Sequence, residues 1–384
     1  MKNCYFDNAA TSWPKPEEVY KAVEGILRQG GANPGRSGHT RSLHADRLLF
    51  EARERAATFF GAPQPEEMIF TFNATDALNM AIKGLVEPGD HVIHTSLEHN
   101  SVLRPLGSLR QRGIIETTMV SCDQTGRLDP LDIEKAIRPD TKLIICTHAS
   151  NILGTILPVE EVGALAKERG VFFLLDAAQT AGALPLDLMQ IGADLAAFTG
   201  HKSLLGPPGV GLLYLRKGVE IKPWREGGTG SRSEEDMQPR MMPDYLEAGT
   251  MNFVGIAGLN EGIKYLQSVG LQAVREHEIA LSRKLIDGLK EIKGIRVFGE
   301  GDPEKAVAVI SFTVEGIDSG ELGYLLEQGF GILCRTGLHC APHAHRSIDT
   351  FPQGTVRFSL SCFTTEEEID YALGAVQKIT SRFA

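Results

Sequence analysis

Between residues 68 and 215, seven short apolar runs alternate with amphipathic stretches, and this alternation constrains the fold more than any other feature of the chain. The runs are Met68–Phe72, His91–Ser96, Glu116–Cys122, Lys142–His148, Val171–Asp176, Asp194–Thr199 and Gly209–Leu215. Near-continuous apolar strands separated by helices imply a mostly parallel sheet covered on both faces, so the class is α/β. One intervening helix has both ends written out: Pro158 at its start, Glu160 and Glu161 in its first turn, Gly170 at its stop. Ligands of such sheets bind beyond the carboxyl ends of the strands, so functional residues should directly follow the apolar runs.

After residue 258 the texture changes. A long helix is predicted from Gly262 to about Lys293, then strands at Ile295–Phe298, Ala306–Thr313 and Thr355–Ser361. A helix falls at Gly320–Gln328, and the last one opens on Thr365-Glu-Glu-Glu368, a capping box. The division this suggests is a large domain over 15–258 and a smaller α+β domain from 1–14 and 259–384, joined by the long helix. The stretch from Arg225 to Arg240, rich in Gly, Arg and Glu, reads as a mobile loop near a site. With 42% hydrophobic residues and 23% charged, 384 residues can bury a sizeable core. The net charge of −10 argues against nucleic acid or an anionic membrane as the main partner. No apolar run approaches the ~18 residues of a membrane span. Met1 to Asp7 carry no signal-peptide pattern, so a cytoplasmic location is expected, with all six cysteines as free thiols. Cys146, inside an apolar run, reads as core.

Four strand ends carry the unusual residues. Asp176 ends the run from Val171 and is costly there unless a donor or cation meets it; a helix cap or an ion pair would also suffice. Lys202, after Thr199-Gly-His201, is followed by the permissive loop Gly206-Pro-Pro-Gly-Val-Gly211. A lysine held in a dry pocket can lose its proton and attack a carbonyl. A lysine paired with a carboxylate suggests pyridoxal 5'-phosphate, with the carboxylate facing the pyridine nitrogen. Such a cofactor needs a phosphate cup and a stacking group. The Phe72-Asn-Ala74-Thr75 turn can give the first and His99 the second, although either also reads as an ordinary cap or loop residue.

The segments Asp7-Asn-Ala-Ala-Thr11, Asn33-Pro-Gly-Arg36, Phe72-Asn-Ala-Thr-Asp76, Glu98-His99, His148-Ala-Ser-Asn151, Asp176-Ala-Ala-Gln179, Gly200-His-Lys202, Glu247-Ala-Gly-Thr250 and Arg335-Thr-Gly-Leu-His-Cys340-Ala-Pro342 occur in this order. Together they resemble the motifs of the cysteine desulfurases of the class V aminotransferase fold, over nearly the whole chain. The resemblance implies a fold type I enzyme with a seven-stranded large domain. It makes Lys202 the lysine that carries the cofactor and Asp176 the partner of the ring nitrogen. Gln179 and Asn151 would bond the ring oxygen, and His99 would stack on the ring and move protons. Ala74, Thr75, Thr199 and His201 would hold the phosphate. Thr250 would reach the phosphate of a neighbouring subunit, which implies a homodimer with shared active sites. Arg357 would grip the substrate carboxylate, with Asn151, Arg335 and Ala10 beside it; without the family, Arg357 reads as an exposed strand arginine.

Cys340 distinguishes the reactions open to such a site. Arg335, His339, His343 and His345 lie within five residues of it, an electropositive setting that would favour a thiolate. A metal site of cysteine and histidines is the rival reading. The resemblance implies attack by Cys340 on the sulfur of L-cysteine, leaving L-alanine and a persulfide for delivery to an acceptor protein, in iron–sulfur cluster assembly or other sulfur metabolism. Arg-x-Gly-x-His-Cys-Ala is the form of the Suf/Csd-like group II. Leu338, Asn73-Ala74 and the 342–354 segment depart from its better-known sequences. A selenocysteine lyase, a C–S lyase on a modified cysteine and an aminotransferase remain open beside it. A sulfur-relay scaffold is disfavoured by Lys202, Asp176 and His99, and a nucleotide-binding fold by the lack of G-x-G-x-x-G after the first strand.

Overall fold

A computed structural model of the chain describes residues 3–30 and 38–383, and the Asn33-to-Arg36 motif lies outside them. After a short β1 (Cys4–Tyr5), the seven apolar runs become β2 (Met68–Thr71), β3 (His91–Thr95), β4 (Glu116–Val120), β5 (Thr141–Thr147), β6 (Phe172–Asp176), β7 (Leu195–Thr199) and β8 (Gly211–Leu215). They form one sheet in the order β2-β8-β7-β6-β5-β3-β4. All neighbours are parallel except β8, which runs antiparallel to both β2 and β7. Successive side chains alternate between two cores. Leu143, Ile145, Leu174, Leu195 and Ala197 enter one, and Ile144, Cys146, Phe173, Ala196 and Phe198 enter the other. That double burial is why the strands read as unbroken apolar runs, and Cys146 is core, with none of it exposed.

A second, antiparallel sheet follows in the order β12-β13-β10-β9: β9 (Ile295–Val297), β10 (Val309–Val314), β12 (Arg335–Gly337) and β13 (Thr355–Ser359). Between them in the chain, β11 (Ile332–Leu333) pairs in parallel with β1 and ties the start of the chain to this sheet. The expected long helix is two helices, Phe253–Val269 and Leu271–Glu291. Gly270 separates them at φ 87° and ψ 125°, outside the helical region, and its N–H still closes on the Leu266 carbonyl. The last helix does carry the capping box: Thr365 Oγ1 accepts from the Glu368 N–H, and the Glu368 carboxylate accepts from the Thr365 N–H.

Residues 225–252 have no regular structure but are anchored. Arg53 makes a two-pronged ion pair with Glu247 at 2.7 and 2.8 Å, and the Glu247 carboxylate also accepts from the Phe70 N–H at 2.6 Å. Both side chains are more than nine-tenths buried. Arg53→Met should therefore cost about 3–5 kcal/mol of stability, because Glu247 stays buried without its cation. Denaturant unfolding measures this, and a loss below about 1 kcal/mol contradicts an anchoring role.

Candidate active site

The carboxyl ends of β2, β3, β5, β6 and β7 open on one cavity of about 280 Å³. Twelve of the fourteen site residues expected from the sequence line it: Ala10, Ala74, Thr75, His99, Asn151, Asp176, Gln179, Thr199, His201, Lys202, Arg335 and Arg357. Each arrives for a local reason. Asn73 caps helix Ala74–Leu85 by accepting from the Asp76 N–H at 2.9 Å. The first-turn N–H groups of Ala74 and Thr75, which have no partner within the helix, are thereby directed at the cavity. His99 caps helix Asn100–Gln111 by accepting from the Ser101 N–H at 3.1 Å. The cap reading of the Asn73 turn is therefore correct, His99 is a cap where an ordinary loop histidine was the alternative, and both are compatible with a place in the site. Behind the turn, Gly211 is indispensable: a Cβ there would lie 2.8 Å from the Asn73 backbone and 2.7 Å from the Phe198 carbonyl.

Lys202 is partly buried and borders the cavity, and desolvation lowers its pKa to about 8, with Arg357 and Arg335 adding repulsion and Asp176 and Asp7 opposing it. Its peptide is pinned from the start of the chain. Ser12 Oγ donates to the Lys202 carbonyl at 2.8 Å, and Lys15 Nζ donates to the His201 carbonyl at 2.9 Å. Asp176 accepts from the Ala178 N–H at 2.9 Å. Burial raises its pKa, so a cationic group opposite it would be welcome. His99 and His201 are both lowered to about 4, by burial and then by Lys202, and stand uncharged at neutral pH. Glu98 behind them is pushed up to about 8 by burial and holds a proton there.

The residues present fit pyridoxal phosphate. Thr199 Oγ1 and His201 Nδ1 are buried with no hydrogen-bond partner, and both border the cavity beside the open helix start. Such unpaired polar atoms are costly unless a ligand meets them. A phosphate would pair them.

Arg357 is only 2% exposed, which overturns its reading as a surface strand arginine. Its Nη2 donates to Asp7 Oδ1 at 2.8 Å and its Nη1 to the Asn151 carbonyl at 2.9 Å. Nε is buried and unpartnered, so the fork keeps a free donor. Cys340 does not line the cavity; its neighbour His339 does. The Cys340 carbonyl accepts from the Asn100 N–H at 2.8 Å, which sets the cysteine beside the His99 cap, at the rim. Thr250 is also absent from the cavity. It shares a separate small cleft with Phe72, Arg225 and Asn252. The remainder of the 225–240 loop walls a pocket of its own.

Burial corrects the electropositive setting expected from nearby histidines. His339 is lowered to about 2 and His345 to about 4, so neither carries charge near Cys340 at neutral pH. Among the described residues, no group of three or more His, Cys, Asp or Glu is placed to hold a metal ion. Sequence reasoning did not single out Ser101, whose Oγ lies 2.7 Å from Thr75 Oγ1 and 2.8 Å from His99 Nδ1. Its signal was a serine two residues after a capping histidine. Lys15 left no comparable signal.

The Aminotransferase class-V family model matches residues 4–372. A probable cysteine desulfurase of Methanothermobacter thermautotrophicus is 37% identical over 95% of this chain and 92% of that protein. A cysteine desulfurase of Haloferax volcanii is 32% identical over 99% of this chain and 90% of that protein. Among solved structures, the apo cysteine desulfurase of Thermococcus onnurineus superposes with a TM-score of 0.93 at 34% identity, covering 99% of this chain and 95% of that one. With the match extending over both sheets and every element of the cavity, the chain belongs to the aminotransferase class-V family of pyridoxal phosphate-dependent enzymes, and within it to the cysteine desulfurases.

Proposed function

We propose that the protein converts L-cysteine to L-alanine and takes the sulfur onto Cys340 as a persulfide. The observation that carries this reading is a desolvated Lys202 that shares with Asp176 and His99 a cavity whose rim bears the Cys340 turn. Lys202 would hold pyridoxal phosphate covalently, with Asp176 at the ring nitrogen and Gln179 and Asn151 at the ring oxygen. Ala74, Thr75, Thr199 and His201 would hold its phosphate. When bound, the cofactor supplies an electron sink that acidifies the substrate Cα–H and weakens the Cβ–S bond.

The chain's own groups do the rest. The free donor of Arg357 orients the substrate carboxylate, with Arg335 and Ala10 beside it. Uncharged His99, whose Nδ1 accepts from the Ser101 N–H and whose Nε2 therefore carries the proton, would stack on the ring and could hand that proton on near the reacting carbons. The Cys340 thiolate attacks the substrate sulfur, the Cβ–S bond breaks, and protons return to Cα and Cβ. One cysteine and one thiol thus become one alanine and one persulfide, with no external oxidant. The sulfur can pass to an acceptor thiol as a new persulfide without further electrons, whereas its release as sulfide requires a thiol reductant.

Thr250 lies outside this chain's cavity, which supports assigning it to the phosphate of a partner subunit in a homodimer. Six cysteines with no disulfide among them suit a reducing compartment such as the cytoplasm, and among the described residues no helix is long and apolar enough to cross a membrane. Iron–sulfur cluster assembly is the use we assign to the sulfur. Incubation with L-cysteine and dithiothreitol should release alanine and sulfide in equal amounts. Alanine without sulfide, or neither product, overturns the reading.

A further inference from the structure

The turn that presents Cys340 is braced on its far side by a buried chain of hydrogen bonds. His339 and Cys340 are consecutive non-glycine residues in the left-handed region, at φ 48° and 59°. Such a backbone persists only where its surroundings fix it. Against it packs His345, on helix Pro342–Ser347, with none of its surface exposed. The His345 and His339 rings stack, centroids 5.6 Å apart. Thr350 Oγ1 lies 2.7 Å from His345 Nδ1, His345 Nε2 lies 3.4 Å from His339 Nδ1, and His339 Nε2 lies 3.4 Å from the Arg335 carbonyl.

The carbonyl fixes the direction of this chain. A carbonyl oxygen can only accept, so His339 Nε2 carries the proton. Burial keeps His339 uncharged, so its Nδ1 is bare and accepts from His345 Nε2–H. His345 Nδ1 is then bare in turn and accepts from the Thr350 hydroxyl. The Thr350 hydroxyl also lies 3.4 Å from the His345 carbonyl, but the 2.7 Å contact with Nδ1 is the shorter claim on its one hydrogen, and with it one polarity runs from Thr350 through both rings to Arg335. On the cavity side, Asn151 Nδ2 donates to the His339 carbonyl at 2.7 Å. The turn is thus clamped between a residue of the cavity and the Thr350–His345 pair.

We propose that His345, held by Thr350, is a positioning residue that acts through His339 to fix the Cys340 turn and the reach of its thiol. The consequence for sulfur transfer rests on the reaction proposed above; the consequence for thiol presentation does not. The two residues sit on helix Pro342–Ser347 and in the segment that follows it.

The test uses the holoenzyme carrying Thr350→Val, which keeps the shape and removes the hydroxyl, with Thr350→Ser as the conservative rescue and His345→Phe as the stronger lesion. In Thr350→Val and His345→Phe, kcat for alanine formation should fall at least about tenfold while KM for L-cysteine changes less than about threefold. The rate of Cys340 alkylation by iodoacetamide, followed by peptide mass, should shift by at least about threefold. Cofactor absorbance should stay, and Thr350→Ser should behave as wild type. Wild-type kcat and alkylation in Thr350→Val, equal impairment in Thr350→Ser, or loss of cofactor absorbance in step with activity would each overturn the proposal. If the wild type forms no alanine from L-cysteine, the proposed reaction fails instead, and the alkylation comparison alone decides the positioning role.

Discussion

Lys202→Ala, purified with pyridoxal phosphate present, should lack the visible absorbance of a lysine-linked cofactor and lose alanine formation by at least about 1,000-fold, the scale of removing a positioned acid–base group. The geometry behind this expectation is a partly buried amine that borders the cavity, desolvated by its surroundings, with the carboxylates of Asp176 and Asp7 acting on it. Desolvation penalises the ammonium form, so the pKa falls from 10.5 to about 8. Below that value the uncharged amine gains about tenfold per pH unit, and above it the fraction levels off. The rate at which cofactor-free wild type takes up pyridoxal phosphate should follow the same curve, rising to a plateau near pH 8. Retained visible absorbance in Lys202→Ala would remove the cofactor assignment. A flat uptake rate from about pH 6 to about pH 9 would show that burial does not prime the amine. The variant should still fold, because the Lys202 peptide is held by backbone and by Ser12, not by its amine.

The large sheet was legible because double burial writes itself into sequence. A strand such as Leu195-Ala-Ala-Phe-Thr199, buried at every position, cannot alternate with polar residues and so stands out as a run. The carboxyl-end rule then pointed to Asp176, Lys202, His99 and Asn73 without any knowledge of their distances. Some of the shortest elements were not legible, although β9 was. Strands β1, β11 and β12 have two or three residues each and exist through pairing with distant partners, a relation no local pattern records. The long-helix error has a similar cause: the apolar spacing continues through Gly270, and only its φ and ψ reveal the break.

Charge was the least legible quantity. Arg335 and three histidines near Cys340 predicted a positive field, yet burial strips His339 and His345 of charge and leaves the field to arginines, among them Arg357, which interacts with Cys340. Arg357 erred in the opposite direction. On a strand it reads as surface, but β13 is paired on both sides and lies under the start of the chain, where Asp7 meets the guanidinium. A sequence states which groups are present, whereas their protonation depends on the water left around them.

Cys340→Ala should separate the two halves of the reaction. Alanine and sulfide release from L-cysteine should fall at least about 100-fold, because the attacking sulfur is gone and water is a poor substitute for it at the rim. Cofactor absorbance and its change on adding L-cysteine should remain, because Cys340 does not line the cavity that holds Lys202, Asp176, His99 and Arg357. In the wild type, the peptide bearing Cys340 should gain the mass of one sulfur atom after brief exposure to substrate without reductant; in the variant no peptide should. An aminotransferase on the same scaffold has no use for this thiol, so full activity in Cys340→Ala would turn the reading toward a lyase acting on a modified cysteine while leaving the cofactor site in place. The other five cysteines do not compensate: burial pushes the thiols of Cys122, Cys334 and Cys362 up to about 12 and that of Cys146 well above its usual value, and Cys4 is buried in the apolar cluster packed on the second sheet. A thiol must ionise to attack sulfur, and Cys340 lies on the turn that borders both the Asn100 cap and the His339 wall of the cavity. Persulfide on any other cysteine would therefore contradict this chemistry as directly as persulfide on none.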